Sequence, residues 1–155
     1  MAIFSGKFIE VTAVRRLTTL QAAPERLAMI PGNEDFASVV CLAMPVQLVE
    51  FKFTSPDGKV PTTKLGEAVR EFADWVHRAA TEGVESFKLD TTIGIAFSGV
   101  AIAHIGFALG HATHFFPWAG FFEPRTGGGW VGHAHGAPVR DGDPFFLDLT
   151  QDAAK

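Results

Sequence analysis

Two kinds of apolar spacing alternate along the chain from residue 46 onward, and this alternation constrains the fold more than any other feature. Residues Val46–Phe53 alternate apolar and polar side chains, which is the period of a half-buried strand. From Thr63 to Thr81 the apolar side chains recur every three or four residues, which predicts an amphipathic helix that stops at Gly83. Ile93–Phe97 is a short, continuously apolar run typical of a buried strand. Strands and helices that alternate in this way indicate an α/β fold.

Shorter patterns extend this core at both ends. Toward the C-terminus, the sequence predicts an apolar helix from Val100 to about His111 and strands at Phe115–Phe122, Trp130–His133 and Pro144–Leu149. Toward the N-terminus, it predicts strands at Lys7–Arg15 and Phe36–Met44, with room for a short helix at Pro24–Asn33. We therefore expect an α/β domain over residues 46–155, with helices packed on a small, mostly parallel sheet. Residues 1–45 form an N-terminal extension with extra strands, and we find no chemistry in them.

Composition narrows the classes of function and the compartment. The formal net charge of −4 argues against binding of long nucleic acid, which needs a basic surface. A single cysteine, Cys41, excludes an internal disulfide, and Met1–Glu10 has no secretory pattern, so we expect a cytoplasmic protein. The weakly charged stretch Thr91–Phe122 is interrupted by glycines, a proline and histidines, which makes it a poor membrane span.

Histidines concentrate in one part of the chain, with five of the six between His104 and His135. His111 and His114 are three residues apart where the predicted helix gives way to Pro117, and this spacing can direct both imidazoles toward a ligand or metal. Two histidines that cap the helix end are the structural alternative. His133 and His135 are two apart on a predicted strand, so they point the same way and form half of a possible metal site.

Two further groups follow predicted strands. Ser98-Gly99 joins a buried strand to a helix start, where unpaired backbone N–H groups favour an anion. Glu123-Pro124-Arg125 follows an apolar strand, where Arg125 can clamp a phosphate and Glu123 can serve as base or metal ligand. A solvated turn pair is the alternative reading of Glu123 and Arg125.

Together these motifs resemble a known family. The string SGVAIAHIGFALGHATHFFPWAGFFEPR, followed by VGHAHG and RDGDPFF, is similar to the third family of CRISPR-associated ring nucleases. That family has an SG turn before a helix, a histidine-bearing stretch, a strand that ends in Asp-Pro-Arg, a strand that ends in Ser-His, and a Gly-Asp before the last strand. The resemblance spans about residues 46–149, and residues 1–45 have no counterpart in it.

The resemblance implies a specific activity. Members of the family have a compact α/β fold distantly like the Rossmann-like domains that sense cyclic oligoadenylates. They form dimers that can stack further around the ligand, and they use manganese to cut cyclic tetra-adenylate into linear fragments, which switches off type III CRISPR signalling. Carried onto this chain, the family's functional histidine is His114, its acidic residue Glu123, its arginine Arg125 and its late histidine His135, with Ser98 and Gly99 on the ligand-facing turn.

We therefore expect a metal-dependent ring nuclease that acts as a homodimer or higher oligomer. The expected site residues are His114, Glu123 and Arg125 for catalysis, Ser98, Gly99, His111 and His135 for ligand binding, and Glu123, His133 and His135 for a divalent metal, Mn²⁺. Residues from different subunits can complete one site.

Two other readings compete with this expectation. Glu123 stands where the family has aspartate, which favours a sensor or sponge that binds a cyclic oligonucleotide without cutting it. A small cupin-like metal enzyme is the further alternative, because His133-x-His135 follows a Gly-rich strand. The predicted helices and the lack of a histidine beyond His135 count against the cupin-like enzyme.

Overall fold

The computed structural model describes residues 3–19, 43–55, 62–85, 87–99, 103–125, 127–136, 139–147 and 149. Within these residues seven strands form one sheet in sequence order. The strands are β1 (Phe4–Ser5), β2 (Ile9–Thr18), β3 (Pro45–Phe53), β4 (Gly94–Ser98), β5 (Trp118–Glu123), β6 (Gly128–Ala134) and β7 (Pro144–Phe146). The helices are α1 (Leu65–Thr81), preceded by a 3₁₀ turn at Thr62–Lys64, and α2 (Ala103–Ala112).

The predicted α/β class is confirmed, but the expected proportion of parallel pairing is wrong. Only β3 with β4 and β4 with β5 pair in parallel, and the other four pairings are antiparallel. A parallel pair needs a long crossover, usually a helix, to bring the chain back to the same edge. α1 and α2 are the two helices that the described residues provide for this, so the sheet is parallel only in its centre.

The predicted elements with strong periodicity lie close to their observed bounds. The strand expected at Val46–Phe53 is β3, and the helix expected at Thr63–Thr81 is α1. The strand expected at Lys7–Arg15 runs three residues further, as β2, while most of Phe36–Met44 and all of Pro24–Asn33 lie outside the described residues.

The N-terminal strands belong to the same sheet as the rest. β2 pairs with β3 over its whole length, from Ile9 opposite Phe53 to Thr18 opposite Pro45. The carboxylate of Glu71 on α1 accepts hydrogen bonds at 2.8–2.9 Å from three consecutive backbone N–H groups, those of residues 7–9. This contact ties the turn between β1 and β2 to the helix layer.

Both helices contribute to the core on one face of the sheet. α1 buries one stripe of its surface, in which Phe72 and Trp75 are fully buried. The Phe72 ring lies 4.5 Å from that of Phe51 on β3 and meets the ring of Phe97 on β4 edge-on at 5.9 Å. Burying one such side chain contributes roughly 1.5–3 kcal/mol, so this aromatic cluster fixes α1 on the sheet.

The opposite face of the sheet carries a second apolar cluster. Trp118 on β5 is its largest member and lies against Phe145 of β7, with ring centroids 5.1 Å apart. Gly94 on β4 makes room for it, because a Cβ atom at Gly94 would lie 2.2 Å from the indole ring. The glycine is therefore required by packing rather than by backbone conformation.

Over the part of the chain that the structure describes, the sheet is not closed into a barrel, and β1 and β7 are its outermost strands. A cupin-like enzyme requires strands closed around its metal site, so the fold contradicts that alternative. Of the described helices, none has the length and apolar character needed to cross a membrane.

Candidate active site

A groove runs between α2 and the neighbouring strands β5 and β6. Its volume is about 590 Å³, within the range of small-molecule sites. Phe97, Ala119 and Phe121 line it from the sheet, and Leu109 lines it from α2. Three imidazoles mark one end of this groove, those of His114, His133 and His135.

A β-bulge directs His133 on β6, and His135 just after this strand, toward the groove. Gly120 pairs with Val131, but Ala119 pairs with His133, so one extra residue, Gly132, is inserted in β6. Such a bulge changes which side chains point to a given face. Val131 packs into the core on the far side of the sheet, whereas His133 and His135 after the bulge lie on the α2 side.

The His133 ring is held by a buried hydroxyl. Its Nε2 atom lies 2.9 Å from Oγ1 of Thr113, which is 1% exposed. That hydroxyl donates its only hydrogen to the carbonyl oxygen of Leu109 at 2.5 Å. Thr113 must then accept from His133, so the His133 Nε2 carries the proton and Nδ1 keeps a lone pair.

The His135 ring is fixed in the same tautomer. Its Nε2 atom lies 2.7 Å from the carbonyl oxygen of His114, and a carbonyl can only accept. The backbone N–H of His135 also donates to the carbonyl oxygen of Pro117 at 2.9 Å. These bonds tie the end of β6 to the turn after α2 and leave Nδ1 of His135 as its acceptor atom.

The three rings form one cluster. The ring centroid of His114 lies 5.0 Å from that of His135 and 6.5 Å from that of His133, and the rings of His133 and His135 are 5.7 Å apart. Burial lowers the pKa of His133 below its ordinary value of 6.5, and the neighbouring histidines lower it further, while Asp141 acts in the opposite direction. His133 therefore favours the neutral imidazole.

Glu123 and Arg125 lie at the other end of β5. His133 is opposite Ala119, whereas Glu123 is opposite Gly128. Ala119 and Glu123 are four residue steps apart along the strand, a distance of about 13 Å. The exposed Glu123 carboxylate accepts a hydrogen bond from the backbone N–H of Arg125 at 3.0 Å, which closes a local turn. Within one chain, Glu123 and Arg125 do not join the histidine cluster.

Ser98 and Gly99 share the edge of the sheet with Glu123. β4 runs parallel to β5 with Phe97 opposite Phe121, so Ser98 and Gly99 follow at the carboxyl end next to Glu123. Polar groups at the carboxyl ends of parallel strands are where α/β sheets place ligands. Residues 100–102, where the predicted helix start falls, lie outside the described residues.

His111 faces a different region. It is exposed on the side of α2 toward α1 and lines a second cavity together with Asp74 and His77. The expected role of His111 beside His114 in ligand binding is not supported by this placement, because a step of three residues along the helix and turn directs them to different cavities.

The expected metal set of Glu123, His133 and His135 does not form in a single chain, because Glu123 is about 13 Å away along β5. Over the described ranges, no group of three or more His, Cys, Asp and Glu side chains is arranged to hold a metal ion. The donor chemistry of His133 and His135 nevertheless fits a ligand role. Each donates its Nε2–H to a neighbouring oxygen, so its Nδ1 carries the lone pair, as in metal-bound histidines.

Sequence reasoning missed the groups that position the cluster. Thr113 lies in the HATH segment between two candidate histidines, but nothing in its spacing signals a buried hydroxyl. Asp141, in the RDGD segment, accepts a hydrogen bond from the backbone N–H of Ala134 at 2.8 Å and lies close enough to His133 to affect its pKa. In the sequence, the groove is indicated by Gly106 and Gly110, which are one helical turn apart on α2 and leave space along one side of the helix.

No family model matches the chain, and no curated protein matches it.

Proposed function

We propose that this chain is a metal-dependent ring nuclease that cleaves cyclic tetra-adenylate into linear oligoadenylates in the cytoplasm and thereby ends type III CRISPR signalling. The observation that carries the proposal is the convergence of His114, His133 and His135 at one end of a ligand-sized groove. The motif resemblance singles out two of these histidines, His114 and His135.

The groups present suit cleavage of a phosphodiester. Attack at phosphorus needs a base for the attacking oxygen and positive charge beside the nonbridging oxygens. The exposed imidazole of His114 is the kind of side chain that most often serves as such a base. Arg125 offers a guanidinium that binds phosphate oxygens in pairs, next to the carboxylate of Glu123.

One copy of the chain does not bring these groups to one phosphate, because about 13 Å of β5 separates the histidine cluster from Glu123. The separation supports a site shared between copies. In such a site the histidine cluster of one copy meets the sheet end of another copy, where Ser98, Gly99, Glu123 and Arg125 lie. Large apolar side chains are available for such contacts, since Phe107 is 86% exposed and Trp130 is 48% exposed.

A divalent cation, Mn²⁺, would be held by Nδ1 of His135 and by the Glu123 carboxylate of a neighbouring copy. When bound, it would neutralise charge on the phosphoryl oxygens. In this assignment His135 positions the ion, His114 moves the proton and Arg125 orients the phosphate. A compact ligand with four phosphates can be held by such local groups on a protein of net charge −4.

The activity is tested by incubating the purified protein with cyclic tri-, tetra- and hexa-adenylate, with Mn²⁺ or with EDTA, and identifying products by chromatography and mass spectrometry. We expect conversion of the tetramer to linear fragments with Mn²⁺ and none with EDTA. His114→Ala and Glu123→Ala should each abolish turnover, whereas His77→Ala on α1 should leave it unchanged. A fully active double variant of His114 and Glu123 would refute the assignment.

A sensor or sponge that binds cyclic oligonucleotides without cutting is the second candidate. It is favoured by Glu123, whose side chain is one methylene longer than the family's aspartate and whose carboxylate is engaged by the Arg125 backbone N–H. Tight retention of intact tetramer after prolonged incubation with Mn²⁺ would identify this function.

A further inference from the structure

We propose that the groove between α2 and strands β5 and β6 binds the base of an adenine nucleotide, with His133 as the hydrogen-bond acceptor that recognises it. The inference rests on the proposed function and deepens it, because it names the part of the ligand that enters the groove. It also assigns His133 to the base and leaves His135 for the metal.

The groove has the size and lining for a flat aromatic ligand. It holds about 590 Å³ and its sheet side is apolar, with the partly exposed ring of Phe121 lying 6.0 Å from the buried ring of Phe97. Leu109 forms part of the facing wall. Nucleobases stack on aromatic side chains, and base stacking is worth about 1–3 kcal/mol per base.

Two glycines of α2 keep the groove open. Gly106 and Gly110 both line it, one helical turn apart, and a Cβ atom built at either would meet no atom of the described residues within 4 Å. Glycine inside a helix costs roughly 0.5–1 kcal/mol relative to alanine. Neither glycine is required by close packing within the chain, and the space that each leaves belongs to the groove.

The polar end of the groove has a defined hydrogen-bonding character. The Nε2–H of His133 is used by Thr113, so its remaining ring nitrogen accepts. Adenine presents an amino group at the position where guanine presents a carbonyl oxygen. An acceptor at this point pairs with the adenine amino group and opposes the carbonyl of guanine or hypoxanthine.

The placement also agrees with the proposed chemistry. His114 lies at the same end of the groove, with its ring 6.5 Å from that of His133. A base in the groove would thus leave its ribose and phosphate near the imidazole that we assign to proton transfer.

The test is nuclear magnetic resonance titration of the full chain with AMP, IMP and GMP in EDTA, so that no metal contributes. We expect AMP to shift the resonances of Leu109 and Ala119 saturably, with IMP and GMP weaker by about tenfold. Gly110→Leu should weaken AMP binding by at least about tenfold, because the new side chain fills the groove. His133→Phe should remove the preference for AMP over IMP.

Gly66→Leu is the matched control, because Gly66 also lies in a helix with no atom within 4 Å of a built Cβ but is remote from the groove. It should bind AMP as the unmodified chain does. Thermal unfolding of both glycine variants verifies that they fold. Absence of saturable shifts at Leu109 and Ala119 up to about 10 mM AMP, or unchanged binding in folded Gly110→Leu, would overturn the proposal.

The groove and the nuclease can fail separately. Adenine binding without cleavage of the cyclic tetramer would refute the nuclease and leave the groove assignment intact. Cleavage of the cyclic tetramer without adenine binding in the groove would refute the groove assignment and leave the nuclease intact.

Discussion

The hydroxyl of Thr113 and the imidazole of His133 form a 2.9 Å hydrogen bond whose direction is fixed by a third group, the carbonyl of Leu109. Thr113 follows α2 and His133 lies on β6, 20 residues later in the chain. The bond therefore joins the helix layer to the sheet at the candidate site. It also determines that the lone pair of the His133 ring, which a ligand can meet, is on Nδ1.

Thr113→Val tests this relationship. Valine has nearly the same shape but cannot accept from Nε2–H, and a buried donor without a partner costs about 1–3 kcal/mol. We expect the free energy of unfolding, measured by urea denaturation, to decrease by about 1–3 kcal/mol. Imidazole ¹⁵N shifts should change from a single Nε2–H tautomer to a mixture at His133. Thr113→Ser should preserve both properties, and an unaltered His133 tautomer in Thr113→Val would contradict the bond.

The lowered pKa of His133 predicts a pH dependence of stability. The unfolded chain takes up this proton near pH 6.5, whereas the folded chain takes it up at lower pH. Between these values the unfolded state binds more protons, so the free energy of unfolding rises with pH. The contribution of neutral His133 to the free energy of unfolding is complete above pH 6.5. It is lost as the pH falls from there toward the pKa of His133 in the folded chain.

Urea denaturation across this pH range in EDTA measures the effect, with His133→Gln as the comparison. The variant should show a shallower loss of stability below pH 6.5 than the unmodified chain. Equal slopes would mean that His133 is not the group responsible.

Gly94→Ala should destabilise the fold strongly for its size. The added Cβ would lie 2.2 Å from the Trp118 ring, in a cluster where Trp118 is 2% exposed and has little room to move. Overpacking of this kind costs about 1–3 kcal/mol or more. Gly66→Ala on α1 is the matched control and should stabilise by roughly 0.5–1 kcal/mol, since its Cβ meets nothing. Equal unfolding temperatures for the two variants would be inconsistent with the packing at Trp118.

The sequence predicts those parts of the fold that depend on neighbours in the chain. The alternation in Val46–Phe53 and the three-to-four spacing in α1 locate these elements closely, because each pattern records burial on one face. Strand direction is harder to predict from sequence, since it depends on how distant segments connect. A mostly parallel sheet was expected, and the structure is parallel only from β3 to β5.

The candidate site follows the same division. The spacing of His133 and His135 predicts that they point the same way, and both line the groove. The bulge at Gly132, the buried Thr113 hydroxyl and the distance from Glu123 to the cluster arise from pairing across the sheet, which single-chain spacing does not encode. Only the β5–β6 register shows that Glu123 lies apart from these histidines.

Mixing two inactive variants tests most directly whether catalysis uses the histidine end of one copy and the Glu123 edge of another. His114→Ala and Glu123→Ala are each assayed alone for Mn²⁺-dependent cleavage of cyclic tetra-adenylate, and then after mixing in equal amounts. With random exchange of copies, about one quarter of such shared sites would contain both intact halves, so the mixture should recover about that fraction of the unmodified turnover. The His114→Ala/Glu123→Ala double variant, mixed with either single variant, should restore none. The shared site would be contradicted if the unmodified chain cleaves the tetramer but the mixture is as inactive as either variant alone.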